Sequence, residues 1–142
     1  MGFDGSNPKL VSLLKGNTVL ASNGDTLAIA GKTLATYHPG TGVAEHTPLG
    51  LSKVRAASIG QDGVVWVSGV AKVDGELLGG DSVLVAVDPS SHLPSVRASV
   101  KLNATFLNPG RTIGPIAQDA TFVYFGTSGT FEKPGTVSRV AK

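Results

Sequence analysis

Apolar residues recur along the chain in runs of about four to seven, rich in Val, Ile, Thr and aromatics. The runs are cut by turn-forming clusters: NGD at 23–25, PGTG at 39–42, QDG at 61–63, DPSS at 88–91, NPG at 108–110 and SGT at 128–130. Runs of this length and make-up suit strands. Asn and Asp tolerate the left-handed backbone or cap their own turn, and Gly adopts it without a steric cost. Helical spacing is confined to Pro8–Lys15, where Leu10, Val11, Leu13 and Leu14 could share one helical face and equally suit a strand. The pattern predicts an all-β fold.

The runs also repeat in order. A short apolar strand (19–22, 54–59, 113–117) leads to a polar turn (23–25, 61–63, 118–120). A second strand follows, and a glycine closes it: 26–30 before Gly31, 64–68 before Gly69, 122–125 before Gly126. A third strand (33–37, 82–87) runs into a turn, and a fourth (43–48, 95–102) completes the unit, while the last unit, ending with 135–142, stops after its third strand. The sequence therefore predicts four-stranded antiparallel meander repeats. Such a unit cannot bury both of its faces alone, so it stacks on copies of itself, and four-stranded units of this size are the blades of β-propellers.

The pieces VRAASIGQDGVVWVSG, LATYHPGTG and SVLVAVDPSS resemble blades of the NHL, YVTN and streptogramin-lyase-like propeller groups, over about Val19 to Lys142. The resemblance implies three blades, at 17–50, 51–103 and 104–142, after a flexible segment at 1–8, and half of a six-bladed ring. Lys9–Leu14 is then the closing strand that supplies the last blade's missing fourth, because an unpaired sheet edge invites aggregation. Three blades leave two raw faces, so the ring is expected to close as a homodimer about a two-fold axis. Streptogramin lyases carry a catalytic histidine and carboxylates in the central channel. No histidine here falls in a matching inner strand, so that activity is not carried over.

Composition narrows the function classes. Of 142 residues 19 are Gly and only 15% are charged, which fits short strands and tight turns better than disorder. The net charge is +2 with basic residues scattered singly, so no nucleic-acid partner is expected. No apolar run reaches the ~18 residues of a membrane helix, and no membrane partner is expected. With no Cys there are no disulfides and no thiolate chemistry, and the compartment stays open.

Candidate chemistry is sparse. His38 and His92 fall in turns on different blades and His46 in a fourth strand, so no shared metal site and no cofactor are expected. The remaining site is a surface. The loop Val70–Asp81 is long relative to Gly31-Lys32, and Thr127–Pro134 is its counterpart; insertions on one face of a repeat array often form its binding face. Lys72, Asp74, Glu76, Phe131, Glu132 and Lys133 are the candidates there, with Arg55 and Arg111, for a protein or glycan partner. Asp25, Asp62 and Asp119 recur at one unit position and read as turn caps. Trp66, the lone tryptophan, reads as core between blades or, in a sharper reading, as a ligand-stacking platform. The leading expectation is a non-enzymatic binding or assembly module acting as a scaffold. The rivals are a fragment of a six-bladed lyase or lactonase-like hydrolase, a virion or appendage structural protein, or a designed repeat chain.

Overall fold

The computed structural model describes residues 18–41, 43–74, 80–102, 110–129 and 134–142. Among them there is no helix, and none is long and apolar enough to cross a membrane. The strands are β1 (Val19–Ser22), β2 (Leu27–Ala30), β3 (Thr33–His38), β4 (Val43–Pro48), β5 (Leu51–Ile59), β6 (Val65–Ala71), β7 (Ser82–Val87), β8 (Pro94–Val100), β9 (Ile113–Gln118), β10 (Phe122–Thr127) and β11 (Thr136–Ala141). They form three antiparallel sheets ordered β1-β2-β3-β4, β5-β6-β7-β8 and β11-β10-β9. The fold is all-β, and each sheet is a meander of sequence neighbours. The expected closing strand at 9–14 and the segment at 1–8 lie outside the described residues.

Register corrects the reading of the third unit. The pairs that flank the first turns are Ser22↔Leu27, Ile59↔Val65 and Gln118↔Val123. Four residues beyond Leu27 and Val65 stand Gly31 and Gly69, but four beyond Val123 stands Thr127, not Gly126. At Gly69 the reason for glycine is local. A Cβ there would lie 2.3 Å from the Lys53 carbonyl oxygen, because β5 bulges around Arg55 between the pairs Val54↔Gly69 and Ala56↔Ser68. At Thr127 β9 and β10 are irregular instead, with a register shift opposite Gly114 and Pro115, and the glycine is not required.

The turn chemistry is also redistributed. Asn23 Oδ1 accepts the Asp25 and Thr26 N–H groups, with Gly24 at φ 98° between them. Asp62 accepts from Val64, and Asp119 from Thr121 and Phe122. Asp62 and Asp119 therefore cap as expected, whereas in the first unit Asn23 holds that task and Asp25 does not.

The sheets stack face to face. Val65 and Val67 of β6 and Val83, Val85 and Val87 of β7 pack with Ala28, Ala30 and Leu34 of the first sheet and Leu49. On the other side Trp66, Leu84 and Ala86 pack with Ile113, Val123 and Phe125 of the third sheet. Every residue of β7 is buried, and all but the last of β6, which accounts for their near-continuous apolar sequence: both faces are covered. The first strands lie beside one another, β1 against β5 and β5 against β9.

Buried serines fix how the third sheet seats. Ser68 donates to the Gly114 carbonyl at 2.8 Å, and Ser82 Oγ accepts the Ile113 N–H at 2.8 Å while reaching Gly69 O at 3.2 Å. Both serines are fully buried, and they satisfy backbone groups that the irregular start of β9 leaves out of the ladder. Trp66 is 1% exposed, with the Arg97 guanidinium 5.6 Å from its ring centroid. That burial selects the core reading over the stacking platform.

Ser82→Ala is expected to lower stability by about 1–3 kcal/mol, because the Ile113 N–H is left buried and unpaired, and Trp66→Ala by about 3–5 kcal/mol. Urea unfolding followed by circular dichroism checks both. Changes within about 0.5 kcal/mol would remove these residues from the core account.

Candidate functional site: a cleft between the first and second sheets

The pairings Thr36↔Glu45 and Leu34↔Thr47 turn those four side chains toward the second sheet. Val65 and Val87 are partners there, and with Leu34 they floor a cleft. Its walls are Thr26, Thr36, Thr47, His38, Glu45, Gly63, Asp88, Pro89 and His92, around about 430 Å³ of space with the open mouth included. The cleft lies at the end of the strands where the β1–β2, β3–β4, β5–β6 and β7–β8 turns gather.

Local backbone aims the polar groups. The Asp88 carboxylate accepts the Ser90 and Ser91 N–H groups and the Ser90 hydroxyl. The Ser90 hydroxyl first, then the two N–H groups, hold its pKa below the ordinary carboxylate value. The turn ends at His92, whose φ of 54° is the left-handed region seldom used by residues other than glycine, and whose N–H bonds the Asp88 carbonyl at 3.0 Å. Nε2 of His92 then stands 3.2 Å from Oε2 of Glu45 on the first sheet, so an imidazole–carboxylate pair spans the mouth. On the first sheet itself, His38 Nδ1 and Thr26 Oγ1 are 3.0 Å apart.

This pairing departs from the sequence expectation. His38 and His92 stand on different sheets, as expected, but stacking brings both to one cleft. His46 pairs with Ala35 and so belongs to the opposite face of the first sheet. Among the described residues no three His, Asp or Glu side chains are grouped to hold a metal ion.

Of the loop candidates, Lys72 and Asp74 come together, Nζ to Oδ1 3.6 Å, both exposed. Such a pair is worth little to stability. Arg55 is exposed on β5, at its bulge. Arg111 turns to the third sheet, donating to Thr127 Oγ1 at 3.4 Å. Glu76, Phe131, Glu132 and Lys133 lie outside the described residues.

A second group of side chains, half-buried Phe122 and Tyr124 with exposed Val137 and Arg139, stands on the far face of the third sheet. Phe122 and Tyr124 have ring centroids 6.4 Å apart, the Arg139 guanidinium lies 4.3 Å from the Phe122 centroid, and Val137 is 80% exposed. Tyr124 donates its hydroxyl to Asp119 Oδ2 at 2.8 Å. The Phe122 and Thr121 N–H groups, then this hydroxyl, lower the Asp119 pKa, and the same bond raises that of Tyr124.

Searched against protein-family models and against the curated proteins, the chain matches none.

A carboxylate with a depressed folded pKa contributes stability that is present above its unfolded pKa and lost as pH falls through the folded one. The Asp119→Asn variant is therefore expected to melt lower than the unmodified chain near neutral pH, the gap closing as acid protonates Asp119. Thermal melts across the acid range measure this; a pH-independent gap would remove ionised Asp119 from the account.

Proposed function

We propose that the chain is a three-blade section of a β-propeller that closes by pairing with a second copy, and that its role is non-enzymatic binding and assembly. The carrying observation is which sheet faces stay uncovered. Leu27 and Ile29 hold in the first sheet the register positions of Val65 and Val67 in the second and of Val123 and Phe125 in the third. In the second and third sheets that face is buried against the preceding sheet. In the first sheet no described strand packs on that face, which carries Leu20, 65% exposed, with half-buried Leu27, Ile29 and Tyr37 around buried Ala35. Conversely, Tyr124 and Gly126 hold the positions of Trp66 and Ser68, which bury against the following sheet, and on the third sheet this face carries Phe122 and Val137.

The uncovered faces are thus the two complementary kinds that already meet twice inside the chain. A second copy, turned about a two-fold axis, offers its first sheet to this third sheet and its third sheet to this first one, making two identical contacts. The contact of first strand beside first strand supports the same reading, since a propeller gathers its inner strands about an axis. The motif likeness to the NHL, YVTN and streptogramin-lyase-like groups points the same way. Within such a ring the exposed Lys72–Asp74 loop is a further surface for a protein or glycan.

Sedimentation equilibrium is expected to give about twice the chain mass of 14.4 kDa. Val137→Glu and Leu20→Glu, each placing a charge on one uncovered face, are expected to give the single-chain mass with an unchanged β-sheet spectrum. A monomer at every concentration, or a dimer that neither substitution disturbs, would overturn the proposal.

A further inference from the structure

The cleft between the first two sheets has a composition that assembly does not use. Its floor is apolar, from Leu34, Val65 and Val87, all nearly inaccessible. Its walls carry two carboxylates, Glu45 and Asp88, with three threonines and two histidines, and neither Lys nor Arg lines it. The Oδ1 oxygen of Asp88 is occupied by its own turn. Glu45 gives one oxygen to His92, and among the described residues its other oxygen has no partner. The Thr36 and Thr47 hydroxyls likewise bond nothing among those residues. Thr47 is only 6% exposed, yet it lines the cleft. The Thr47 hydroxyl opens on the cleft, so a ligand there can bond it.

Register explains why space remains here. Trp66 pairs with Ala86 on the second sheet, and its ring fills the contact with the third sheet. The matching pair on the first sheet is Ala28 with Thr36, so an alanine stands where the next sheet has an indole. The contact between the first two sheets is short of that volume beside Thr36.

We infer that this cleft binds a small amphipathic cation: an ammonium or guanidinium group on a short aliphatic stem. The stem lies over Leu34, Val65 and Val87, where its burial is favourable. The charged head meets the unpaired oxygen of Glu45 in a charge-assisted hydrogen bond and donates to the Thr36 and Thr47 hydroxyls. A neutral ligand of the same shape gains the floor but not the carboxylate, and an anion meets Glu45 and Asp88 with its own sign of charge. A free small amine and the lysine or arginine side chain of a partner protein present the same group. The site lies within one chain and does not depend on ring closure.

Titration of the 15N-labelled full chain with butylammonium, butanol and butyrate, read in amide spectra, tests this. Butylammonium is expected to shift the Thr36, Thr47 and Gly63 amides with saturation, butanol to bind about tenfold more weakly, and butyrate to shift nothing there. Glu45→Gln, an exposed position, is expected to weaken butylammonium about tenfold with the melting temperature unchanged, and Thr47→Val to weaken it without changing the spectrum elsewhere. Blocked lysine amide separates the sources. Binding as tight as butylammonium assigns a partner's side chain, and refusal assigns a free amine. Equal binding of butanol, tighter binding of butyrate, no saturable shift, or an affinity indifferent to Glu45→Gln would overturn the inference.

Discussion

A sheet with two apolar faces has to be covered on both sides, and the arrangement of this molecule follows from that requirement. β6 and β7 leave no face for water: Val65, Val67, Val83, Val85 and Val87 turn one way, and Trp66, Leu84 and Ala86 the other. Each such side chain contributes roughly 1.5–3 kcal/mol when fully buried, so the middle sheet draws its stability from neighbours on both sides. The first and third sheets are built to the same plan but are covered by described strands on one side only. Their uncovered faces are a consequence of the repeat, since each has the composition of a face buried elsewhere in the same chain.

Apolar burial is non-directional and would tolerate sliding of one sheet over the next. The polar contacts between sheets remove that freedom. Asn23 donates to the Gly60 carbonyl at 2.9 Å and ties the first turn of the first sheet to that of the second. Gln118 donates to Ser58 at 2.7 Å and ties the second to the third. Toward the edge, Arg97, displaced by the bulge in β8, donates to the Ala141 carbonyl at 3.1 Å, and the Lys142 ammonium stands 3.8 Å from Asp62. These contacts join residues up to eighty apart in sequence. Each satisfies a turn or strand-end group while setting the angle between two sheets.

Strand identity was legible in the sequence because local chemistry writes it. The strands at 19–22, 43–48 and 82–87 fall where the alternation of apolar runs and turn residues sets them. β5 begins at Leu51 rather than near 54, since its first residues pair through the bulges at Ser52 and Arg55, which interrupt the period. The third repeat was misaligned by one residue for a similar reason. Gly126 stands where a glycine was expected, but the register shift opposite Pro115 moves the equivalent position to Thr127. The cleft was not legible. Glu45 and His92 are separated in sequence by three strands of the second sheet, and only the stacking of that sheet on the first, with His92 turned by its left-handed backbone, sets them 3.2 Å apart. A sequence signal did exist in hindsight: Ala28 stands at the repeat position of Trp66, and a large-to-small difference between equivalent inward positions marks a contact short of volume.

That difference separates the two inter-sheet contacts in kind. Between the second and third sheets, aromatic volume fills the contact and buried serines serve the backbone, while Trp66 Nε1 and Gln118 Oε1 are buried with no hydrogen-bond partner among the described residues. Between the first and second, small side chains leave a cleft whose Thr36 and Thr47 hydroxyls and one Glu45 oxygen bond nothing among the described residues. A repeat protein that needed only to stack would gain by filling both contacts, since filling a void adds stability. The unfilled contact also has both of its walls within a single chain, so its shape is set by the same hydrogen bonds that fix the stack and does not wait on a partner. The proposed assembly would use the faces at the two ends of the stack and the proposed ligand the seam inside it, so the two would not compete for a residue.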